Sequence, residues 1–231
     1  MGLRSGGART MKKLILTIII VVMLAIPAFA SFPTTPILDN FNRANEGPPP
    51  SANWTSFHTF IAGKVSSNTC IVNGASTAQY WNPKVFIPDE EVYMKISTKP
   101  ANGNVARLCL RIQGANLATE DGYQLHFAAD AGTDIITIRK VSSGTSSVLL
   151  TISPAQEVSS GDSLGFSAVG STLTAWYKSG SGAWVSLGST TDSSFPSGGY
   201  IGMYLPNDAA VVIDDFGGGE VGDNGKFLLL F

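Results

Sequence analysis

Charge and cysteine are both scarce in this chain of 231 residues, and each scarcity removes a class of function. The 15 lysines and arginines stand against 17 acidic residues, a net charge of −2. Four of the basic residues (Arg4, Arg9, Lys12 and Lys13) fall within residues 1–30, where no acidic residue occurs. Residues 31–231 therefore hold 11 basic against 17 acidic side chains, a net −6. Nucleic-acid binding needs a positive footprint facing the phosphates, so no nucleic-acid partner is expected. Two cysteines, Cys70 and Cys109, are too few for a disulfide-built scaffold, although in an oxidising compartment they can form one bridge. There is no C-x-x-C and no Cys/His cluster, which argues against zinc. A phosphate loop is missing as well.

Long apolar runs are also missing, with one exception near the start. Lys12 and Lys13 precede an apolar run from Leu14 to Ile26, then Pro27 and the small-residue pattern Ala28-Phe29-Ala30. A basic start, a short apolar stretch and an A-x-A site describe a secretory signal peptide, with cleavage expected after Ala30. The run falls short of the ~18–20 residues that span a bilayer, so no transmembrane segment is expected after cleavage. The protein is thus read as secreted or held at the cell surface. The remaining ~200 residues suffice for one sizeable core.

What fills them is two-residue alternation. "EEVYMKIST", "NVARLCLRIQ", "DGYQLHFAA", "DIITIRKV", "SVLLTI", "SLGFSAV", "STLTAWYK", "AWVSLGS", "GYIGMYL" and "AVVIDDF" each read as a strand. The breaks between them, such as "GTSS", "SSGD", "KSGSG" and "PSGG", are turn chemistry. No ten-residue segment combines helical periodicity with helix caps. Many short strands at spacings of about 8–12 residues predict an all-β, antiparallel two-sheet β-sandwich or barrel. The domain plan is residues 1–30 as upstream extension and signal peptide, 31–219 as the sandwich, and 220–231 as a Gly-containing linker with an apolar tail.

Several of these stretches, with "DNFNRANEGPPPSANWTSF" near the start, resemble the concanavalin A-like jelly rolls. The likeness is nearest to laminin-G-like domains of secreted bacterial proteins and some phage structural proteins. It spans nearly all of residues 36–219. It implies two stacked antiparallel sheets, one bent into a concave face, with the first and last strands adjacent. The superfamily includes lectins, hydrolases, lyases and structural domains, so the resemblance specifies fold more than function.

Strand alternation places Ile37, Asp39 and Phe41 on one face, and Val212, Asp214 and Phe216 on another. If the terminal strands pair, Asp39 and Asp214 lie near an apolar layer and must gain a cation, hydrogen bonds or a proton. A structural calcium ion suits oxygen donors such as these, and the opposite sheet phase would offer Asn40 and Asp215 instead. The alternative is that these aspartates only hydrogen-bond to strand ends. In the middle strands, Val92, Met94 and Ile96 oppose Glu91, Tyr93 and Lys95; Leu108, Leu110 and Ile112 oppose Arg107, Cys109 and Arg111; and Tyr123, Leu125 and Phe127 oppose Gln124 and His126. Tyr93, Lys95, Arg107, Arg111, Gln124 and His126 would thus share a polar face. On the jelly roll that the resemblance implies, it would floor the concave groove. Donors of this kind read sugar hydroxyls, the arginines favouring an anionic sugar. Tyr80 and Trp81, beside the turn residues Asn82 and Pro83, are candidate stacking rings. Trp54, Trp176 and Trp184 are expected in packing, and His58 as a partly buried structural histidine.

Enzymatic readings are weaker. "RLCLR", "QLH" and "GMY" resemble, in order, three motifs of concanavalin A-like alginate lyases, with Cys109 where the lyases carry glutamate. That resemblance implies His126 or Tyr204 as proton-moving groups, with Arg111 and Gln124 neutralising a uronate. The Glu-x-Asp-x-x-Glu strand of jelly-roll glucanases is absent. Asp89, Glu90 and Glu91 are consecutive, so Glu90 and Glu91 point to opposite faces and cannot flank one glycosidic bond. The leading expectation is a non-catalytic, lectin-like module for a polysaccharide or glycan. A structural protein of a cell envelope, filament or virion is the alternative, its subunits joined through the apolar tail at 226–231.

Overall fold

The computed structural model describes residues 32–57, 60–113 and 120–222. The leader at 1–30, His58 and the tail at 226–231 lie outside the described residues. Within them the architecture is all strand, in two sheets. Ten of the strands fall on the alternating segments quoted above. β6 (Glu90–Thr98), β7 (Val105–Gln113), β8 (Asp121–Ala128), β9 (Ile135–Ser142) and β10 (Thr145–Thr151) come first. β11 (Ser163–Val169), β12 (Thr172–Lys178), β13 (Trp184–Thr191), β14 (Tyr200–Leu205) and β15 (Val212–Glu220) follow. The five strands before them are shorter: β1 (Ile37–Asp39), β2 (Trp54–Ser56), β3 (Lys64–Ser66), β4 (Thr69–Ile71) and β5 (Thr77–Trp81).

The first sheet runs β13-β12-β11-β6-β15-β4-β3, with β1 also pairing β15, and the second runs β10-β9-β8-β7-β14-β5-β2. The chain therefore begins and ends its sandwich on one antiparallel pair, with Ile37 opposite Gly217 and Asp39 opposite Phe216. Between the sheets lie Val92, Met94 and Ile96 of β6, Leu164 and Phe166 of β11, Leu108 and Leu110 of β7, and Leu125 and Phe127 of β8, all essentially without solvent exposure. Each such side chain contributes roughly 1.5–3 kcal/mol on burial. No disulfide assists them. Cys70 and Cys109 are free thiols, Cys70 in this inner core and Cys109 in a small apolar cluster on the outer face of the second sheet. The second sheet itself separates them, so the possible bridge is not formed. Burial pushes the Cys70 thiol up to about 12 and that of Cys109 well above its ordinary value.

Arg111 departs from simple alternation. It has a left-handed backbone (φ 51°), and the β7–β8 register shifts between Leu110 and Gln113. Such a bulge re-aims side chains. After it, Ile112 joins the outer cluster. Arg111 turns inward to 1 % exposure, its guanidinium donating to the carbonyls of Pro88, Phe195 and Gly170 at 3.0, 2.8 and 2.7 Å. Gly170 sits between β11 and β12, so this side chain ties the second sheet to the first. The bulge needs room opposite: a Cβ on Gly122 would stand 2.7 Å from the Leu110 carbonyl oxygen.

The Arg111 N–H donates to Glu90, which is wholly buried. Burial raises the Glu90 carboxyl from 4.5 to about 8, and the Arg111 N–H and charge offset only part of that rise. The folded protein thus holds a proton that the unfolded chain has already lost between pH ~4.5 and ~8. This group's contribution to stability falls as pH rises through that window. Glu90→Gln, neutral at every pH and still an acceptor, is expected to flatten the decline in Tm between pH 5 and 8; an unchanged slope would show that Glu90 ionises as in water. Arg111→Ala would strand three carbonyls and is expected to lower unfolding free energy by roughly 3 kcal/mol or more. Urea melts check this, and a loss below about 1 kcal/mol would mean water replaces the guanidinium freely.

Candidate functional site

The six residues expected to share a polar face do not share one. β6 belongs to the first sheet and β7 and β8 to the second, so outward residues of these strands face opposite sides of the sandwich. Tyr93 and Lys95 lie on the outer face of the first sheet. Arg107, Gln124 and His126 lie on the outer face of the second. Arg111, re-aimed by its bulge, is on neither, and its guanidinium is spent on backbone carbonyls.

On the second sheet, register builds the site. Tyr204 of β14 sits opposite Arg107, Arg107 opposite His126, and His126 opposite Thr137, one row across four strands. The next row runs Gly202, Cys109, Gln124 and Arg139. The Arg107 guanidinium lies over the Tyr204 ring, 4.3 Å from its centroid, and Phe60 meets that ring edge-on at 5.3 Å. Tyr80 belongs to the same face, packed on Tyr200 with centroids 4.5 Å apart. A cleft of about 220 Å³ is lined by Phe60, Arg107, Gln124, His126 and Arg139 among others. Gln124 donates to both carboxylate oxygens of Glu120 at 2.8 Å, which fixes its amide against the cleft wall.

Two polar atoms here, Nε of Arg107 and Nδ1 of His126, are buried without a protein hydrogen-bond partner among the described residues. Burial, together with the charges of Arg139 and Arg107, pushes His126 down to about 4. At neutral pH the imidazole is therefore uncharged, with one nitrogen donating and one accepting. Arg139 is lowered too, by burial and then by Arg107. Its place was readable in "DIITIRKV", where Ile136 and Ile138 point inward and Arg139 outward, yet the expected site omitted it. Tyr200 and Phe60 were also missed, because the pairing that brings them alongside Tyr80 and Tyr204 is long-range.

Trp81 does not extend the face that Tyr80 shares. One residue along the strand, it turns the other way and packs edge-on against buried Trp54, centroids 5.5 Å apart. Trp176 and Trp184, expected beside the "KSGSG" hairpin, stand on the two strands that flank it and lie on the outer face of the first sheet around Phe32.

The terminal aspartates serve as structural groups. Asp39 accepts from the Phe41 N–H and Arg43 through Oδ1, and from Trp54 Nε1 and Arg43 through Oδ2, at 2.6–3.1 Å. Those contacts raise the Arg43 guanidinium above its ordinary value. Asp214 pairs with Lys95 at 3.2 Å and accepts from the Asp215 N–H. Asp215, across a register break, is raised by burial and then by Asp214. Oxygens already engaged by Arg43, Trp54 and Lys95 do not fit a calcium ion. Among the described residues no group of three or more His, Cys, Asp or Glu side chains is placed to hold a metal.

No family model and no curated protein matches the chain in sequence. Solved structures do match in fold. The carbohydrate binding module CBM66 from Bacillus subtilis is 20 % identical with a TM-score of 0.52, over 73 % of this chain and 96 % of that one. The exoplasmic/lumenal domain of VIP36 in its Ca2+- and Man2-bound form is 11 % identical with a TM-score of 0.58, over 80 % and 87 %. The carbohydrate recognition domain of Emp46p in a potassium-bound form is 10 % identical with a TM-score of 0.57, over 80 % and 97 %. Likeness at such low identity speaks for architecture alone. Two antiparallel sheets closed by paired terminal strands, together with these structural likenesses, give this chain a concanavalin A-like jelly-roll fold.

Proposed function

We propose that the protein is an exported, non-catalytic glycan-binding module whose site is the outer face of the second sheet around Arg107 and His126. The observation that carries this reading is the pair of buried atoms, Arg107 Nε and His126 Nδ1, that lack a partner among the described residues beside a cleft lined by Phe60, Arg139 and Gln124. An unsatisfied buried polar group costs roughly 1–3 kcal/mol, which a hydroxyl-rich ligand can recover. Arg107 and Arg139 bring two guanidiniums to a cleft that holds one carboxylate, Glu120, so an acidic sugar is favoured over a neutral one. Tyr204, Tyr80 and Tyr200 supply aromatic surface for sugar C–H faces. Neighbours described as a carbohydrate binding module, a carbohydrate recognition domain and a mannose-bound domain support glycan recognition by this fold. Export rests on the leader at residues 1–30. Asp39 and Asp214, already engaged by Arg43, Trp54 and Lys95, are not offered as calcium ligands, while the Ca2+-bound form of the VIP36 domain keeps an ion compatible with this fold.

One second reading has an observation in its favour. Tyr204, Arg107 and His126 meet in a single cross-strand row with Gln124 adjacent, the set that a polysaccharide lyase would use to neutralise a uronate and move its α-proton. Two features oppose it. An imidazole held at about 4 is a weak base at neutral pH, and Arg111 is locked in the interior.

Titration with alginate and pectin oligosaccharides tests the binding reading. Arg107→Ala and His126→Ala are expected to weaken binding at least about tenfold with the fold intact, and affinity should be flat between pH 5 and 8, where His126 stays neutral. Failure of the unaltered protein to bind any acidic glycan would sink it. For the lyase, ultraviolet absorbance of an unsaturated product should rise on incubation with alginate and vanish in Tyr204→Phe; no rise leaves binding alone.

A further inference from the structure

The outer face of the first sheet carries a second polar-aromatic surface, with the sandwich between it and the cleft just described. Asp214, Lys95, Ser163, Lys178 and Trp184 are successive partners across five strands and form one row. Beside it runs a row of Tyr93, Gly165 and Trp176. The rings are held before any ligand arrives. Phe32 lies flat on Trp176 at 4.7 Å, meets Trp184 edge-on at 4.9 Å, and fits only because Gly165 has no side chain. Glu91 Oε1 grips the segment behind Phe32 by accepting from the N–H and hydroxyl groups of both Thr34 and Thr35. The Tyr93 hydroxyl donates to the Thr35 carbonyl at 3.0 Å.

Tyr93 and Trp184, edge-on to one another at 6.0 Å, line a cleft of about 350 Å³ together with Lys95, Ser163, Lys178 and Asp215. Asp215 and Ile37 also line a neighbouring cleft of about 490 Å³ that reaches Asn40, Asn53 and Trp81, so the groove continues along β1. Its charge differs from that of the other face. Lys95 and Lys178 are matched by Asp214 and Asp215, whereas Arg107 and Arg139 share their cleft with one carboxylate, Glu120.

We propose that this groove is a second glycan site, selective for neutral sugars. Braced rings offer flat surface to pyranose C–H faces with little ordering cost. Lys178, Ser163 and Asp215 supply donors and acceptors to hydroxyls, and the balanced charge gives no advantage to a carboxylate. A single molecule would then bridge an acidic polysaccharide on one face and a neutral one on the other. The inference goes beyond the proposed function and stands on different residues.

Calorimetric titration of the full chain with hexasaccharides of xylose, mannose and glucose tests it. At least one should bind, with affinity unchanged within about twofold in Arg107→Ala but at least about tenfold weaker in Trp184→Ala. Lys178→Ala, at the rim, should weaken it about threefold and decides the matter if Trp184→Ala does not fold. No binding of any neutral hexasaccharide, unchanged affinity in Lys178→Ala, or loss in Arg107→Ala instead would overturn the proposal. Loss of acidic-glycan binding leaves these outcomes untouched, so failure of the first site and of the second are separate results.

Discussion

The described residues depend on one constraint: their fifteen strands in two sheets must give their inner faces to a common apolar layer. No disulfide or helix shares the load among the described residues, and most inward positions are Val, Ile, Leu, Met or Phe, with Ala, Tyr, Trp and Cys making up the rest. Polar chemistry is thereby driven outward, onto two faces that look in opposite directions. A strand can offer a functional side chain only at every second residue, and which face receives it depends on the sheet to which the strand belongs.

Exceptions to that constraint occur where the backbone breaks register. The bulge at Arg111 turns a cation inward, where three carbonyls and the Glu90 knot receive it. The break at Asp215 lets β15 change partners, pairing β4 through Val212 and Ile213 and β1 through Phe216 and Gly217. Asp39, near the start of the chain, uses both carboxylate oxygens to hold Arg43 and Trp54, so that β1 and β2 are tied together although they pair with different sheets. Closure of the sandwich is thus electrostatic at its rim and apolar at its centre.

The same logic sets what was legible in the sequence. The ten longer strands announce themselves by alternation, and their inward residues, such as Met94, Leu125 and Phe166, follow directly. β2 to β5 are three to five residues long and give alternation little room. Alternation also identifies Tyr93, Lys95, Arg107, Gln124 and His126 as outward, but it is silent on sheet membership. That is why one expected groove became two faces. A one-residue bulge flips every position beyond it, and nothing in "RLCLRIQ" marks where the flip occurs, so Arg111 and Ile112 exchanged faces. Cys70 and Cys109 were separable only once the strand order was known.

Unsatisfied polar atoms distinguish strain within the fold from readiness at a surface. Among the described residues four buried side-chain atoms lack a protein partner: Glu90 Oε2, Thr77 Oγ1, Arg107 Nε and His126 Nδ1. Glu90 has a remedy of its own, since a carboxyl raised to about 8 keeps its proton and carries no charge to solvate at neutral pH. Arg107 has none, because a guanidinium does not shed its proton at any ordinary pH. His126 has already shed its charge and still presents an unpaired nitrogen. These two side chains also sit directly opposite one another on neighbouring strands, in a cleft open to solvent, rather than scattered through the core. A fold that satisfies Asp39, Asp134 and Asp162 with three or four hydrogen bonds each does not leave such a pair unserved for want of donors and acceptors. The deficit is local and paired, and it borders an open cleft, which is what a binding surface requires and a packed interior does not.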